Sequence, residues 1–565
     1  MATIVVRHDR LPVNRERLNL TAIAHQRLMI VLLVIIAVSA VLVGRLVWMG
    51  AFANSNGHLR DASAGLPPRA DIVDRNGVPL ARTMDAYSIA VKPSRLIGEP
   101  DELARKLHEI FPDTPAADFL KKLSGKSWTY LRQRALPEEV AQVNALGEVG
   151  IEFPREKERI YPQRTLAAHV LGFAPIKDGE SYHGGMGVEA AFNDRLTGDM
   201  RGVPVALSID SRVQGVLENE LYAAVVDQNA QGATGVILDA NTGEVIAMAS
   251  FPVFDPNKLG KDDNARRNNV VQSRYELGST FKPLAIAAGM DAGVIKSMAK
   301  RYDATAPLQV GAFRIKDDHA LGRWLNVPET LIYSSNIATA RIADEMGAEP
   351  MQKLYRALEF DQRPSIELKE RARPLWPSSW GRVTNMTVAY GHGIAVTPLH
   401  LTSAYAALVN GGIWRPATLH RLREEDVPKG RRVFSAATSA RMRQLLRMIV
   451  MDGTGRNADA PGYRIGGKTG TAEKPFEGGY AHRSLITTFA AAFPMDNPRY
   501  VILAMMDEPK GSSQFPGVRT AAYTSAPVVK KVVTRIGPML GIMPDERRDV
   551  DISELMPLVS RKKGG

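Results

Sequence analysis

An α+β (α/β) fold, in which a sheet enclosed by helices follows a separate amino-terminal platform and one membrane-crossing helix, is predicted for this chain of 565 residues. Three observations predict it. A charge-free apolar run near the start is long enough to cross a bilayer. A turn-rich stretch then leads into a first unit of short strands and helices. From residue 235 onward, short apolar strands alternate with helical patterns to about residue 536. The length suits two to four domains with substantial cores.

The apolar run is Leu28 to Gly44, and Leu46 to Met49 extends it beyond Arg45. A helix over 28–48 reaches about 30 Å, the thickness of the hydrocarbon core, with Arg45 snorkelling at its outer end. Five arginines and two acidic residues precede it, which leaves the tail 1–27 cytoplasmic and the remaining chain outside. A cleaved signal peptide is the alternative. The long basic prelude and the lack of a small-residue cleavage site favour a retained anchor.

Residues 49–68, rich in Ser, Gly, Ala and Pro, read as a stalk. The platform is expected over 69–225. Ala70 to Ala81 frames an Asn76/Gly77 turn and reads as a hairpin, with Ile89 to Lys92 continuing the sheet. Asp101 to Phe111 and Pro115 to Leu123 have helical spacing. Arg155 to Tyr161 is charge-rich. His169 has no partner at metal-ligand spacing and reads as a hydrogen-bonding or surface histidine. Gly184 to Glu189, GGMGVE, lacks both the full GxGxxG pattern and the Walker lysine, so its glycines read as close turns before a helix from Val188 to Leu196. A turn at Gly198 to Gly202, a strand at LSID and a helix from Arg212 to Ala224 close the unit.

The second unit is expected over 226–545. It opens on the strand pair Gly235 to Asp239 and Val245 to Ser250 around Asn241 to Gly243. Helical patterns follow at Leu284 to Ala288, Leu331 to Met346, Leu399 to Val409 and Ala440 to Val450. A strand at Tyr500 to Met506 and a helix around Ala526 to Ile536 complete it. Residues 546–565 form a charged tail expected at the periphery, with Arg561 to Lys563 facing solvent.

The formal charge of +12 suits an anionic partner, but no aromatic and basic stripe accompanies it, which argues against nucleic acid. Cysteine is absent, excluding disulfides, zinc thiolates, iron–sulfur ligation and a cysteine nucleophile.

Three separated stretches carry chemistry. Tyr275 to Pro283, YELGSTFKP, sets Ser279 and Lys282 three residues apart, on one face of a helix that begins there. Ser297/Lys300 and Ser560/Lys563 have the same spacing, so context must choose. Gly278 allows a tight entry and Pro283 fits a first helical turn, which puts Ser279 at a helix start whose free N–H groups favour an anion. A surface helix with an accidental spacing is the alternative. Tyr333 to Ala338, YSSNIA, offers Ser334, Ser335 and Asn336, and is equally an ordinary polar helix cap. Gly466 to Ala472, GGKTGTA, offers Lys468, or is a glycine-rich strand end with an exposed lysine.

Together they fit one mechanism. Lys282, neutralised by burial and a nearby cation, takes the proton of Ser279. Lys468 supplies positive charge, and Ser334 relays a proton to the leaving amine. Asn336 holds Lys282 and a substrate amide. The main-chain N–H groups of Ser279 and Thr471 face a tetrahedral oxyanion, and the hydroxyls of Thr469 and Thr471, on either side of Gly470, meet a substrate carboxylate.

The ordered set STFK, SSN and KTGT resembles the SxxK, SxN and KTG signature of penicillin-binding proteins and related serine enzymes. RADIVDRNGVPLA, GGMGVE, DANTGEVIAMASFPVFDPN, YGHGIAVTPL and DGTGRNA narrow the resemblance to the class B, monofunctional members. GTGRNA and GKTGTAEK look most like the cell-division member, a septal peptidoglycan D,D-transpeptidase. The resemblance implies a serine β-lactamase-like domain with a five-stranded, mainly antiparallel sheet flanked by helices, and an elongated α+β pedestal of dimerisation type. It implies an acyl-enzyme at Ser279, with Ser279, Lys282, Ser334, Asn336 and Lys468 catalytic and Thr469, Gly470 and Thr471 binding the substrate and oxyanion. No cofactor and no metal are expected. Expected partners are peptidoglycan stem peptides and nascent glycan, β-lactam inhibitors, a membrane glycosyltransferase and cell-division proteins. The place implied is the inner membrane at the division site. An elongation transpeptidase and a catalytically silent β-lactam sensor are the rivals. The chain departs from the family pattern at Arg69/Ala70, at Leu277 and over Lys510 to Val518, the last expected beside the active site.

Overall fold

The computed structural model describes residues 15–52, 69–177, 180, 181, 183–476 and 479–560. The chain forms two units, Met1–Leu66 and Pro67–Gly565. The described part of the first is the helix Arg15–Phe52. Its segment Gln26–Arg45 is long and apolar enough to cross a membrane, with mean hydropathy 2.8. Leucine, isoleucine and valine side chains point outward all round, as lipid demands and water does not tolerate. The first fourteen residues of the expected tail and residues 53–68 of the expected stalk lie outside the described residues, as do Arg561 to Lys563.

In the second unit, the strand Pro79–Val91 is the spine of the pedestal. It pairs antiparallel with Ile72–Val73, Thr129–Ala135, Ile151–Glu152 and Arg155–Ile160. The Asn76/Gly77 turn forms as its sequence predicts: the Asp74 carboxylate accepts the N–H groups of Asn76 and Val78 at 2.7 and 2.8 Å, and Gly77 takes φ +85°. Helices Pro100–Ile110 and Ala116–Leu123 place Leu107 and Phe119 against Ile89 and Val91.

Below this layer Glu189 is fully buried between two guanidinium groups. Arg69 donates to one carboxylate oxygen at 2.5 Å; Arg159 at 2.7 Å and the Tyr161 hydroxyl at 3.0 Å share the other. GGMGVE is therefore structural. Its Gly187, at φ +66°, passes so close to Gly172 that a Cβ would come within 2.5 Å of that residue's nitrogen. The helix expected over Val188 to Leu196 is divided into Gly187–Ala191 and Asn193–Thr197. His169 is buried, donates through Nε2 to the Ala265 carbonyl at 2.8 Å and packs edge-on against Phe254. Burial pushes it down to about 4, so the ring is neutral.

The larger part is built on helices α1 (Ser211–Asp227), α2 (Lys282–Asp291), α3 (Val327–Ile332), α4 (Asn336–Met346), α5 (Pro398–Val409), α6 (Ala436–Asp452) and α7 (Ser525–Met539). Its strands are β1 (Gly232–Asp239), β2 (Val245–Phe251), β3 (Gly466–Phe476), β4 (Gly479–Phe493) and β5 (Tyr500–Asp507), in the antiparallel order β2-β1-β5-β4-β3. β1, β2 and β5 read as near-continuous apolar runs because both faces are covered. Alternate residues sort to opposite sides: Val236, Leu238, Val501 and Leu503 meet the layer of α2, α4 and α5, while Ile237 and Ile502 meet α1 and α7.

Four expectations change. LSID is not a strand: Val205–Ala206 pairs with Ile72–Val73, and Leu207 makes a single bridge to His420. The helix Ser211–Asp227 packs by Val213, Leu217 and Leu221 beneath the sheet, so the expected division at residues 225 and 226 follows the chain and not the packing. The helix expected over Leu331 to Met346 is interrupted between α3 and α4, where Ser334 takes φ +57° and the Ser335 hydroxyl accepts the Ala338 N–H. The described part of the tail, residues 546–560, is not peripheral: Leu555 is 1 % exposed, and Val550, Ile552, Met556 and Leu558 pack against the main core.

Candidate active site

Ser279 lies in a 3₁₀ turn, Gly278–Phe281, that runs directly into α2, with Pro283 in the first helical turn. The turn is held from three sides. Phe281 sits among Tyr355 and Phe360. The Tyr405 hydroxyl donates to the Thr280 carbonyl at 2.8 Å. Tyr275 pairs with Val396, which brings Gly391 against Gly278; a Cβ on Gly391, at φ +83°, would lie 2.3 Å from the Gly278 oxygen. YGHGIAV is thus the brace of the YELGS segment. Ser279 itself is partly exposed, and among the described residues its hydroxyl has no hydrogen-bond partner.

β3 is an edge strand and crosses beside this turn. A Cβ on Gly470 would meet the Leu277 carbonyl at 2.4 Å, so glycine there is required by the close approach. The Thr471 carbonyl lies near Gly278, and its oxygen would be 3.0 Å from a Cβ on that residue. In a strand the N–H and C=O of one residue point the same way, so the Thr471 N–H faces the open edge beside Ser279. The Thr471 hydroxyl accepts the Ala521 N–H at 3.2 Å, and the Thr469 hydroxyl shares a hydrogen with Thr454 at 2.7 Å.

Two buried amines meet on Ser334. Lys282 Nζ donates to the Ser334 carbonyl and lies 3.1 Å from its hydroxyl; Lys468 Nζ lies 2.9 Å from the same hydroxyl. Lys468 also reaches the Thr469 carbonyl at 2.9 Å. Both lysines are 0 % exposed. Burial pushes the Lys282 amine down to about 7, against the pull of Asp317 and Asp318. Burial, and then the charge of Lys282, push Lys468 well below the usual lysine range, with Asp318 opposing. Two ammonium groups on one hydroxyl repel, so the pair gives up a proton early. The left-handed backbone of Ser334, which costs a non-glycine residue about 1–2 kcal/mol, aims its hydroxyl between them.

The structure brings Lys282, Ser334 and Lys468 together and sets Thr469, Gly470 and Thr471 beside the Ser279 turn. Asn336 is placed differently from expectation. Its amide nitrogen donates to the Lys316 carbonyl at 3.0 Å, and among the described residues no hydrogen bond joins it to Lys282. The loop Lys510 to Val518 also differs: Lys510 N–H bonds Gln228 and Ser513 N–H bonds Asp227, so it folds over the end of α1, enclosing a cavity of about 360 Å³ with α7. Asp317 was not legible as a site residue. It accepts from the Ser335 hydroxyl at 2.8 Å and the Ile337 N–H at 2.9 Å, which caps α4 and faces Lys282 with negative charge.

Residues 233–534 match the penicillin-binding protein transpeptidase domain, and residues 65–222 match the penicillin-binding protein dimerisation domain. The sheet with its three convergent stretches is therefore a penicillin-binding transpeptidase fold on a dimerisation-type pedestal. The chain belongs to the class B penicillin-binding proteins. It is 38% identical over 486 residues to the probable peptidoglycan D,D-transpeptidase FtsI of Caulobacter vibrioides, covering 84% of this chain and 82% of that one. It is 31% identical over 505 residues to the probable peptidoglycan D,D-transpeptidase PenA of Neisseria meningitidis, covering 84% and 85%. The crystal structure of penicillin-binding protein 3 from Mycobacterium tuberculosis, complexed with aztreonam, superposes with TM-score 0.66 at 26% identity, over 85% of this chain and 98% of that one. This homology supports D,D-transpeptidase activity of the family kind, and with the apolar helix Gln26–Arg45 it supports membrane anchoring with the catalytic domain outside the cytoplasm.

Proposed function

We propose that the chain is a septal peptidoglycan D,D-transpeptidase with Ser279 as its nucleophile. The observation that carries the reading is the Ser334 hydroxyl held between two buried amines beside the Ser279 turn. Ser279 Oγ attacks the carbonyl of the terminal D-Ala-D-Ala bond as Lys282 takes its proton. The oxyanion is met by the N–H groups of Ser279 and Thr471. As the C–N bond breaks, the proton passes through Ser334 to the departing D-Ala amine. An acceptor amine on a neighbouring stem then attacks the ester, its proton returns by the same route to Ser279, and a new peptide bond cross-links the strands. The ester conserves the energy of the broken bond, so no nucleotide is needed outside the cytoplasm.

Lys468 supplies positive charge near the relay, and the hydroxyls of Thr469 and Thr471, flanking Gly470, take the substrate carboxylate. Asn336, whose side chain is partly exposed, presents its carbonyl oxygen to a substrate amide. The anchor 28–48 keeps the pedestal over 69–225 and the domain 226–545 on the outer side of the membrane, where a membrane glycosyltransferase and division proteins are the partners. A β-lactam mimics the donor and acylates Ser279.

The acylation rate should follow the lysine pair. A base must be neutral to act, and the amine of Lys282 is pushed down to about 7, so kcat/KM for penicillin should fall about tenfold per pH unit below pH 6 and level above pH 8. Stopped-flow acylation across that range measures it; a flat profile from pH 5 to 8 removes Lys282 as the base.

Elongation transpeptidases share this chemistry, and a silent sensor shares the acylation. Supplying the full-length protein with lipid-linked substrate and a glycan polymerase should yield cross-linked muropeptides, whereas a sensor labels with penicillin and cross-links nothing. Depleting a functional fluorescent fusion should leave filaments with label lost from midcell; rounded cells would assign it to elongation instead.

A further inference from the structure

Two elements that carry the site share a brace which the acyl-transfer reading does not use. The stretch 546–560 runs along α6 and ends beside α3. At its start the Asp549 carboxylate binds Arg447 at 2.8 Å, and the same guanidinium donates to the Ile465 carbonyl at 2.9 Å, three residues before Lys468. One turn along α6, Gln444 donates to the Asp551 carbonyl at 2.6 Å. Leu555 is then fully enclosed in the main core. At the far end the Asn326 amide donates to the Leu558 carbonyl at 2.5 Å, Ser560 N–H donates to Glu329 at 3.1 Å, and the Tyr333 hydroxyl donates to the Ser560 carbonyl at 3.1 Å. Tyr333 is the residue before Ser334.

We infer that residues 546–560 are a strap that sets the distance between the Ser334 turn and the strand of Lys468, so that Tyr333, Arg447 and the tail are positioning residues for acylation. The inference rests on the acyl-transfer reading of Ser279. The physical reason is the backbone of Ser334. A non-glycine residue at φ +57° persists only where its surroundings over-determine it. The Ser334 N–H bonds the Leu331 carbonyl at 3.2 Å and the Ser335 N–H bonds Thr330 at 2.9 Å, both within the segment itself. Asp317 holds the following helix from one side, through Ser335 and Ile337. The tail holds the preceding residue from the other, and through Arg447 it also grips the chain that enters β3. Loss of the strap lets the Ser334 turn and the strand of Lys468 drift apart, and small misplacements at a reacting centre cost rate steeply. Water admitted between them would also raise the amine's proton affinity. The charged groups facing Lys282 are Asp317 and Asp318 from the loop after Phe313–Ile315 and Lys468 from β3, and all three remain in a strapless chain.

The test compares the full-length protein in detergent with a chain ending at Asp545, and with Tyr333→Phe and Ser560→Pro, which remove one strap hydrogen bond each. Fluorescent penicillin gives the second-order acylation rate and its pH profile, and thermal melting reports the fold. The strap predicts that the shortened chain acylates about tenfold or more slowly, with its acid limb moved to higher pH, yet reaches full labelling at long times. The two point variants shift rate and profile in the same direction by a smaller factor, and added peptide 546–560 restores the shortened chain. A wild-type rate and pH midpoint in the shortened chain overturns the inference. If that chain does not melt cooperatively, wild-type kinetics in both point variants overturn it. A melting shift with unchanged pH midpoint assigns the tail to stability alone and also overturns it. Wild-type protein that takes no label removes the acyl-transfer reading, and the strap with it.

Discussion

Lys282→Ala should slow acylation by penicillin by about 10²- to 10⁴-fold while the protein still melts as a folded domain. The amine is fully buried and, among the described residues, its hydrogen bonds go to the Ser334 hydroxyl and carbonyl, so its removal takes away the base and leaves the Ser334 relay with Lys468. Removing one of two mutually repelling amines also relieves Lys468, whose proton affinity should rise. Any residual reaction then depends on Lys468, which still bonds the Ser334 hydroxyl. Lys282→Met keeps the volume without the amine and separates chemistry from cavity formation. A rate within threefold of wild type in both variants would show that another group accepts the Ser279 proton.

Glu189→Ala should destabilise the pedestal by about 3–5 kcal/mol, because it removes the buried carboxylate that two buried guanidinium groups share. Arg69 and Arg159 have side chains 0 % and 1 % exposed, and Glu189 is the carboxylate both of them bind. Arg69 would keep its bonds to Asn193 at 3.0 Å and to the main-chain carbonyl of residue 189, and Arg159 its bond to the Ala70 carbonyl at 2.8 Å, but the carboxylate between them would be gone. Urea unfolding followed by pedestal tryptophan emission at Trp128 would read the loss. Penicillin acylation, measured at a temperature where the variant is folded, should stay close to wild type, since the network lies outside the Ser279 site. An unchanged unfolding midpoint would mean that the pair of arginines is solvated after all.

Much of this architecture was legible because its signals are local. The Asn76/Gly77 turn, the strands buried on both faces and the helix at Lys282 each declare themselves within a few residues. Ser279, Lys282 and the glycines of β3 were legible for the same reason: Gly278 and Gly470 are where two backbones touch. What escaped was long-range. The apolar phase of Leu331 to Met346 continues across Ser334, so periodicity shows no break where the left-handed residue interrupts the helix. Asp317 is eighteen residues from the Ser335 it caps, with the strand Arg323–Asn326 and α3 between, and no spacing links them. Arg155–Ile160 shows in the sequence only as charge-rich, yet it is a strand whose Arg159 is buried against Glu189. The tail looked peripheral because its charges dominate its composition, while Leu555 and its apolar neighbours do the packing. Chemistry alone suits Asn336 to a bond with Lys282, but its partner is the carbonyl of Lys316, twenty residues away in the chain.

The central claim is that Ser279 is the acyl nucleophile, and covalent mapping tests it most directly. Full-length protein treated with penicillin, digested and analysed by mass spectrometry should carry one penicilloyl group on the peptide containing Ser279. Ser279→Ala should carry none while melting like the wild type. An adduct on another residue, or undiminished labelling of Ser279→Ala, would contradict the account.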